Sequence, residues 1–537
     1  MSKDQEPKSA ESKPRRGPRL LQRLLLGLVG LYLALWIAGA LLTSGRPPMN
    51  GTDLYTPATP VARDNINLLF DRTSWTDEGE LVSEQEIFPA MLAMIEEAEG
   101  AIILDMFLVN QFGAKAENGL DHRDTTRELI DALVAKLAAD PDTWILFVTD
   151  PINSTYGDEC PKPLRPLVEA GGHVVLTNLH ALEDSNPLYS LPYRALRPLL
   201  RRVPFLHKPI FDHPFDGGED PVATMQLLDM LNFKANHRKV LTSRTADGQW
   251  HALVASANPH TASSRHDNIA VQLHAGPLQA IRNSELRIAA DSIRPRPELL
   301  FSSATTTQVL EQINSWLEKP SSPPVDDAER RPGAMTARYC SEGALGETVD
   351  ELLRKASRGD TVELLMFYLA DPRVVRGLRK AAERGATLRI LLDPNQDAFG
   401  RRKRGIPNRV IATRLHDWAA ARDDVDLTIR WANTRGEQMH AKALRIVLES
   451  AGTEHYLLGS ANFTTRNLRG TNLESGVLIE NGAALANQWQ ENFNAMWQNP
   501  GGTKASLPFD RYASRGFKGF IDRILTFLTN TTGFSTY

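Results

Sequence analysis

Two short stretches, "NHRKVL" at 236–241 and "MHAKAL" at 439–444, each place a histidine two residues before a lysine within an apolar run. The two histidines, His237 and His440, lie 203 residues apart. One such pair is weak evidence, because the chain of 537 residues contains 13 histidines. Both copies, however, sit in similar surroundings, and these surroundings indicate a fold made of two similar halves.

The sequence around the two stretches repeats loosely. "AIILDMFLVN" at 101–110 is similar to "TVELLMFYLA" at 361–370, and "WILFVTDPIN" at 144–153 is similar to "LRILLDPNQD" at 388–397. Each of these segments is typical of an apolar buried strand, and a helix-like stretch follows the first strand of each half. The order strand, helix, strand predicts βαβ units, a mostly parallel sheet and therefore an α/β fold.

A second polar signal follows each His-x-Lys strand. In both halves a turn and a further apolar strand lead to Ser-x-Asn, and an acid then enters the next strand. The members are Ser256, Asn258 and Asp267 in the first half and Ser460, Asn462 and Glu474 in the second half. The chain thus contains one polar constellation made twice.

This constellation resembles the phospholipase D superfamily, over most of residues 64–500. Its most specific parts are "NHRKV…SAN" and "GEQMHAKAL…GSANFT…NLESGV". The apolar N-terminus, "LLDPNQDAFGRRKRGIPNR" and the C-terminal "TGFST" are most similar to bacterial members of the cardiolipin synthase type. The resemblance implies two αβα halves that pack as a pseudo-dimer around one active site. The family motif has an aspartate seven residues after each histidine, where this chain has Arg244 and Val447.

The residue types suit the cleavage of a phosphodiester without a metal or another cofactor. Such a reaction needs a nucleophile, an acid for the leaving oxygen and fixed positive charge on the phosphoryl oxygens. One neutral imidazole can attack phosphorus and one imidazolium can protonate the departing alkoxide, so we expect His237 and His440 to be catalytic. Lys239 and Lys442, two residues further on the same strand face, can clamp the phosphate. Family analogy makes His237 the nucleophile, whereas the residues alone leave this assignment open.

The other polar residues of the constellation are expected to support the histidines and the substrate. Asp267 and Glu474 can hold the imidazole tautomers by hydrogen bonds. Both serines can equally well shape turns, and His266, which has no counterpart in the second half, receives no role. The expected substrate-binding residues are Ser256, Asn258, Ser460 and Asn462.

The N-terminus predicts a membrane anchor. The segment "LLLGLVGLYLALWIAGALL" at 24–42 has 19 residues without a charge, which is long enough to span a bilayer. Seven basic residues precede it and two follow over a similar length, so residues 1–23 should form a cytoplasmic tail. A cleaved signal peptide ending near "AGA" at 38–40 is the alternative. We therefore expect a single-pass protein of a bacterial inner membrane with a periplasmic catalytic body.

The remaining boundaries follow from the lengths of the two halves. We predict a first half at 64–300, a linker at 301–335, a second half at 336–500 and an amphipathic C-terminal segment at 501–537. An insertion at about 181–221 contains seven prolines, which argue against a long regular helix. Its apolar and cationic residues predict contact with a membrane surface, whereas the apolar stripe of the C-terminal segment is expected to pack on its own domain.

Composition favours a lipid substrate over nucleic acid. The net charge of −4 gives no overall attraction to DNA. Two cysteines, Cys160 and Cys340, are too few for a metal cluster, and they can pair only once. The resemblance implies a cardiolipin-synthase-like phosphatidyltransferase that acts on phospholipid at a membrane through a phosphohistidine. The alternatives are a phospholipase D-type hydrolase of lipid and a nuclease.

Overall fold

The computed structural model describes residues 17–44, 48–113, 122–215, 220–320, 333–398 and 401–533. Within these residues the chain forms an α/β fold with two large mixed sheets. The predicted cytoplasmic tail, part of the predicted linker and the end of "TGFST" lie outside the described residues.

The strands are β1 (Thr59–Pro60), β2 (Ile66–Thr76), β3 (Leu81–Glu84), β4 (Ala101–Met106), β5 (Trp144–Thr149), β6 (His173–Leu176), β7 (Pro209–Phe211), β8 (Val222–Ala223), β9 (Lys239–Arg244), β10 (Trp250–Ala255), β11 (Asn268–Leu273), β12 (Leu300–Phe301), β13 (Thr336–Ser341), β14 (Thr361–Met366), β15 (Thr387–Leu392), β16 (Asp397–Ala398), β17 (Arg401–Arg402), β18 (Leu427–Ala432), β19 (Lys442–Leu448), β20 (Thr453–Gly459), β21 (Ser475–Glu480), β22 (Thr503–Lys504) and β23 (Ser506–Pro508).

The helices are α1 (Gly17–Thr43), α2 (Ile87–Glu96), α3 (Thr125–Ala139), α4 (Arg165–Glu169), α5 (Pro187–Leu200), α6 (Thr224–Met230), α7 (Leu278–Ile293), α8 (Thr306–Glu318), α9 (Gly343–Lys355), α10 (Pro372–Glu383), α11 (Asn408–Ala420), α12 (Thr465–Leu468), α13 (Ala486–Gln498) and α14 (Gly516–Thr532).

The two large sheets repeat one strand order. The first contains β6-β5-β4-β9-β10-β11-β2 and the second contains β18-β15-β14-β19-β20-β21-β13 in corresponding positions. The strands that follow the two histidines, β9 and β19, therefore occupy equivalent central places. This order confirms the predicted α/β fold with two similar halves.

The expectation of a mostly parallel sheet is wrong. Parallel pairing joins β4, β5 and β6 in the first sheet, and β14, β15 and β18 in the second. The central strands β9 and β19 pair antiparallel with both of their neighbours. The reason is local, because the short turns at 245–249 and 449–452 permit only an antiparallel return, whereas parallel strands need a long crossover.

The halves exchange short strands and share a core. β1, near the start of the chain, pairs with β13 of the second sheet, and β22, near its end, pairs with β2 of the first sheet. One hydrophobic cluster contains buried residues of both halves, for example Val254 and Val271 with Leu458 and Val477. Burying apolar surface between the sheets stabilises the two halves as one body.

Part of the predicted linker is a helix of the first half. α8 begins with a capping box in which Thr305 accepts from the backbone N–H of Gln308. Its buried residues Val309, Ile313 and Trp316 belong to the shared hydrophobic cluster. Residues 321–332 of the predicted linker lie outside the described residues.

The insertion contains a regular helix in spite of its prolines, so the expectation against one is wrong. α5 begins at Pro187, where a missing N–H leaves no acceptor unpaired, and continues through Pro192 and Pro198. Because Pro192 cannot donate to Leu188 four residues earlier, that carbonyl is free, and the hydroxyl of Tyr32 in α1 donates to it (2.7 Å). A neighbouring helix thus replaces one hydrogen bond that the proline removes.

Three arginines of the insertion are bound to the protein itself, whereas the expected contact of the insertion with a membrane surface stays a prediction. These arginines form ion pairs with acids of the same half, which positions them on the protein. These pairs are Arg194 with Asp184, Arg197 with Asp229, and Arg201 with Asp158.

The two ends of the chain expose apolar helices. Leu21–Thr43 of α1 is long and apolar enough to cross a membrane, with a mean hydropathy of 2.3. In α14 the expectation of a stripe packed on its own domain is wrong, since Phe517 and Phe520 are 79% and 55% exposed.

Cys160 and Cys340 are both free thiols.

A fully buried arginine joins the two halves. Arg238 donates to Glu285 (3.1 Å) and Ser284 (2.7 Å) in α7 of the first half, and to Glu342 (2.6 Å) in the second half. Burial lowers the pKa of this guanidinium, but the two carboxylates outweigh burial and hold the pKa well above its ordinary value. Glu342 also accepts the backbone N–H of Glu474 (2.9 Å), so the cluster reaches the predicted site.

Replacement of Arg238 by Ala should destabilise the protein by about 3–5 kcal/mol, because two buried carboxylates lose their cation. The midpoint of unfolding of the full-length protein in detergent measures this change. The matched control is Arg72→Ala, which removes a surface pair with Glu84 and should cost at most about 1 kcal/mol. Equal, small shifts in both variants would contradict a structural role for the cluster.

Candidate active site

The main chain of each histidine is held by the other half. His237 stands just before β9, and its backbone N–H donates to the carbonyl of Leu473 (2.9 Å). His440 stands just before β19, and its backbone N–H donates to the carbonyl of Asp267 (2.8 Å). In the opposite direction, the backbone N–H of Leu473 donates to the carbonyl of Ala235 (3.0 Å), and that of Asp267 donates to the carbonyl of Gln438 (2.9 Å). These reciprocal bridges place both histidines at the boundary between the halves.

The imidazole rings are also oriented from across this boundary. Nδ1 of His237 lies 3.0 Å from Oε2 of Glu474, and Nδ1 of His440 lies 3.2 Å from Oδ1 of Asn268. Because Nδ1 is engaged in both rings, Nε2 remains as the reactive nitrogen of each. The structure therefore brings Glu474 to the place that was expected, but beside the histidine of the other half.

For Asp267 the expectation has to be corrected. Its carboxylate accepts the backbone N–H of Thr73 (2.5 Å), and the neighbouring Asn268 orients His440 instead. Backbone bonds from Ser256 to Ile269 (2.9 Å) and from Ser460 to Ser475 (2.8 Å) show which residues correspond. Glu474, directly before Ser475, is thus equivalent to Asn268 and not to Asp267.

The two serines act on these orienting groups. The hydroxyl of Ser256 donates to Oδ1 of Asn268 (3.0 Å), and the hydroxyl of Ser460 donates to Oε2 of Glu474. Both serines are fully buried. Direct binding of substrate, which was expected of them, does not fit this geometry, since each hydroxyl already donates its proton to a buried partner.

The lysines lie beside the histidines and over aromatic rings. Nζ of Lys239 donates to the carbonyl of His237 (2.5 Å) and lies 4.8 Å from the ring centre of Phe107. Nζ of Lys442 donates to the carbonyl of His440 and lies 5.1 Å from the ring centre of Phe367. Both ammonium groups are buried close to the imidazoles, where they can meet a phosphate.

The phenylalanines are site residues that sequence reasoning missed. Phe107 lies with its ring centre 4.8 Å from that of His237, and Phe367 lies 4.9 Å from His440. Side-chain amides of Asn153 and Asn395 donate to the carbonyls of the two phenylalanines (2.8 and 2.9 Å). The signal was present in the repeated "MF" that ends β4 and β14, but nothing in the linear sequence relates it to the histidines.

Two buried aspartates of the repeated "DP" pairs hold the residues before the histidines. Asp150 accepts the backbone N–H of Asn236 (2.7 Å), and Asp393 accepts that of Met439 (2.9 Å). Burial raises the pKa of each carboxyl group to about 7. These aspartates position the approach to each catalytic strand.

The two asparagines of Ser-x-Asn differ in their surroundings. Oδ1 of Asn258 accepts the backbone N–H of Leu108 (3.3 Å), directly after Phe107, which leaves its NH₂ group as a donor. Oδ1 of Asn462 is buried and has no hydrogen-bond partner among the described residues. The contact with Leu108 therefore fixes the orientation of the Asn258 amide and of its NH₂ donor.

His266, which received no role from the sequence, lies beside His440 with ring centres 6.0 Å apart. Its Nδ1 accepts the backbone N–H of Gln438 (3.3 Å), so the neutral ring carries its proton on Nε2. Burial holds the pKa of this histidine well below its ordinary value. The part of the site around His440 thus contains an additional neutral N–H donor, which comes from the first half of the chain.

The electrostatics of the site favour an anion. Burial lowers the pKa of His237 to about 4, against the opposing effect of Glu474, and lowers the pKa of Lys239 to about 7. Burial and the neighbouring cations hold the pKa of His440 and Lys442 well below their ordinary values. Crowded cationic groups in a buried site disfavour one another, so a bound phosphodiester anion would stabilise their charged forms.

Comparison with known proteins finds one family model and several similar structures. A family model described as "Cardiolipin synthase, PLD-like domain" matches residues 349–497. A phosphatidylserine synthase from Haemophilus influenzae Rd KW20 has a similar structure, with a TM-score of 0.52 and 11% identity over 89% of this chain and 96% of that chain. The yeast tyrosyl-DNA phosphodiesterase has a TM-score of 0.37 and 11% identity over 77% of this chain and 88% of that chain. No curated protein is significantly similar in sequence.

The repeated strand order and the likeness to the synthase structure define a phospholipase D fold. Within this fold, residues 349–497 of the second half match the phospholipase D-like domain that the cardiolipin synthase model describes.

Proposed function

We propose that this protein is a membrane-anchored phosphatidyltransferase of the cardiolipin synthase type, which acts on phospholipid through a covalent phosphohistidine. The observation that carries the proposal is the pair of buried histidines, each oriented at Nδ1 from the opposite half and each accompanied by a buried lysine. Two imidazoles with free Nε2 atoms are suited to the nucleophile and the acid that a phosphodiester requires.

His237 is assigned as the nucleophile. When its Nε2 attacks phosphorus, the ring becomes a positively charged phosphoimidazolium, and the Glu474 carboxylate at Nδ1 stabilises this charge. The bond from phosphorus to the leaving alcohol breaks, and the departing oxygen takes a proton from His440. In the second step His440 takes the proton of the acceptor hydroxyl, whose oxygen attacks phosphorus and releases His237.

His440 is assigned as the acid because its orienting partner is neutral. Asn268 accepts a hydrogen bond from Nδ1 but adds no negative charge, so it does not hold the proton on the ring as a carboxylate would. Lys239 and Lys442 neutralise the phosphoryl oxygens, and loss of either should cost on the order of 10²–10³ in rate, as for one oxyanion donor. Asn258 and the N–H of His266 supply further donors.

A lipid substrate is supported by the description of the matching family model and by the apolar helix α1. With phosphatidylglycerol as both donor and acceptor, glycerol leaves in the first step and cardiolipin forms in the second. Water as the acceptor would give phosphatidic acid instead.

The full-length protein in nanodiscs that contain labelled phosphatidylglycerol should therefore release glycerol and form cardiolipin. Thin-layer separation of the lipids, with glycerol measured in parallel, checks this outcome. Phosphatidic acid as the sole product would identify a hydrolase. Cleavage of DNA without any reaction of lipid would overturn the proposal in favour of a nuclease.

Two histidine variants serve as controls and test the roles. His237→Ala and His440→Ala should each abolish lipid turnover, because each half supplies one reacting imidazole. With a nitrophenyl phosphodiester, whose leaving group needs no acid, His440→Ala should still accumulate a phosphorylated His237 that mass spectrometry detects. Phosphorylation of His440 in the His237→Ala protein would exchange the two assignments.

The orienting pair at His440 predicts a change in pH dependence. Asn268→Asp places a carboxylate at Nδ1, which should raise the pKa of His440 by about one unit or more. His440 then stays protonated to higher pH, so the alkaline limb of kcat/KM for a soluble phosphodiester should move upward. Asp267→Asn is the matched control, since the side chain of Asp267 accepts from the backbone N–H of Thr73 and it is Asn268 that contacts Nδ1 of His440. An unchanged alkaline limb in Asn268→Asp would argue against His440 as the acid.

We further propose that the protein lies in a bacterial inner membrane with its N-terminus in the cytoplasm and its catalytic body in the periplasm. Seven basic residues before the apolar segment, against two after it, support this orientation. A reporter fused after Tyr537 that is active only outside the cytoplasm should function. Activity of a reporter that works only inside the cytoplasm at the same site would reverse the topology.

A further inference from the structure

The C-terminal helix α14 exposes apolar side chains and buries polar ones, which is the reverse of an ordinary surface helix. Five of its large apolar side chains are exposed to between 44% and 79% of their area and Ile521 and Leu525 are half-buried, whereas its buried positions are Gly519, Asp522 and Thr526. A surface helix that packs on a core normally buries its apolar stripe. The exposed apolar residues, here called the α14 face, are Phe517, Phe520, Ile524, Phe527 and Leu528.

Specific contacts hold the helix in this orientation. Asp522 forms an ion pair with Arg404 (3.3 Å) and accepts a hydrogen bond from the hydroxyl of Ser514 (3.4 Å). Gly519 lies so close to the main chain that a Cβ atom there would be 2.5 Å from the carbonyl oxygen of Ser514. Rolling the helix to bury its apolar side would break the ion pair and bring a larger side chain against this carbonyl.

The charges around the α14 face have one sign. Lys518 and Arg523 are exposed on the helix, whereas its single acid, Asp522, is turned inward. Cations with long aliphatic stems can flank an apolar surface and keep their charged ends at the level of anionic headgroups. This arrangement fits the interface of a membrane better than it fits water.

The α14 face is connected to the apolar helix α1 through the insertion. The end of α14 meets the start of α5, where Arg466 donates both to the carbonyl of Gly533 (2.7 Å) and to Ser185 (2.5 Å). α5 in turn packs on α1, where a Cβ atom on Gly39 would be 2.0 Å from the carbonyl oxygen of Leu191. The insertion also exposes Leu199 near the end of α5 and, beyond that helix, Phe205 and Phe211. The three helices thus present apolar surface that begins at the anchor itself.

We propose that the α14 face lies in the interfacial layer of the bilayer that α1 crosses, so that the catalytic body docks on the membrane with α14 parallel to it. This inference rests on the proposed membrane anchoring. Continuity with α1 and the exclusively cationic flanks favour a lipid surface with anionic headgroups over a second copy of the chain. The anchor alone would tether the body without orienting it, and the α14 face supplies the second contact.

Spin labels test the position of the helix directly. Cys340 is fully buried, so Cys160→Ser removes the more accessible thiol, and a single cysteine can then be placed at Phe520, at Ile524 or, as a control, at Val82. In nanodiscs with phosphatidylglycerol, labels at the two α14 positions should collide with oxygen and be shielded from a water-soluble nickel chelate. The label at Val82, an exposed apolar residue on β3, should remain open to the chelate. Equal access of the chelate at all three positions would overturn the proposal.

The same labels distinguish a lipid surface from a second copy. In nanodiscs that hold one copy each, shielding of the α14 labels should persist and no dipolar broadening should appear. Shielding that requires two copies in a disc would show that the α14 face is a dimer interface, and the proposal would fail. Because this measurement needs no turnover, it also separates the docking proposal from the proposed activity.

Activity supplies an independent readout. Phe520→Ser combined with Ile524→Ser should lower turnover of bilayer phosphatidylglycerol on the order of tenfold, since two apolar contacts with the membrane are lost. Turnover of a short-chain soluble phosphodiester should be unchanged, as should both activities of Val82→Ser. A parallel fall of both activities in the double variant would mean that α14 stabilises the body and does not dock it.

Discussion

Each histidine of this site is oriented by the half of the chain that does not carry it. His237 takes its backbone acceptor and its Nδ1 partner from the segment at 473–474, and His440 takes both from the segment at 267–268. Neither half can therefore form a competent site alone, although each has its own sheet. The buried Arg238 cluster supports this arrangement, because Glu342 binds both the guanidinium of Arg238 in the first half and the backbone N–H of Glu474 in the second half.

The two halves orient each other's histidines in a nearly symmetric way. They differ in the chemical group that contacts Nδ1. Equivalent serines donate to equivalent positions, but one position holds the carboxylate of Glu474 and the other holds the amide of Asn268. A carboxylate stabilises an imidazolium and an amide does not, so two rings in the same frame acquire different proton affinities. A duplicated fold can in this way give two equivalent histidines different proton affinities without any change in backbone.

The insertion and α14 differ in how their side chains meet the surface. The arginines of the insertion hold it to the protein through ion pairs, whereas apolar side chains of α14 face outward. Tyr32 of α1 donates to the carbonyl that Pro192 leaves free in α5, so the apolar N-terminal helix is part of the packing of the catalytic body. The protein therefore combines a buried polar site with an exposed apolar side.

The sequence by itself determined what depends on residues close together in the chain. Alternation and spacing were enough for the α/β class, the two halves, the apolar N-terminal helix and the two His-x-Lys pairs, because each is a local pattern. Partners across the fold were decided only by tertiary structure. The pairing of β10 with β11 sets Ile269 opposite Ser256, which gives the orienting role to Asn268 instead of Asp267, and no local pattern records that register. Likewise, one-face spacing identifies α14 as amphipathic, but which side faces outward is decided by Gly519 and Asp522, whose contacts lie elsewhere in the chain.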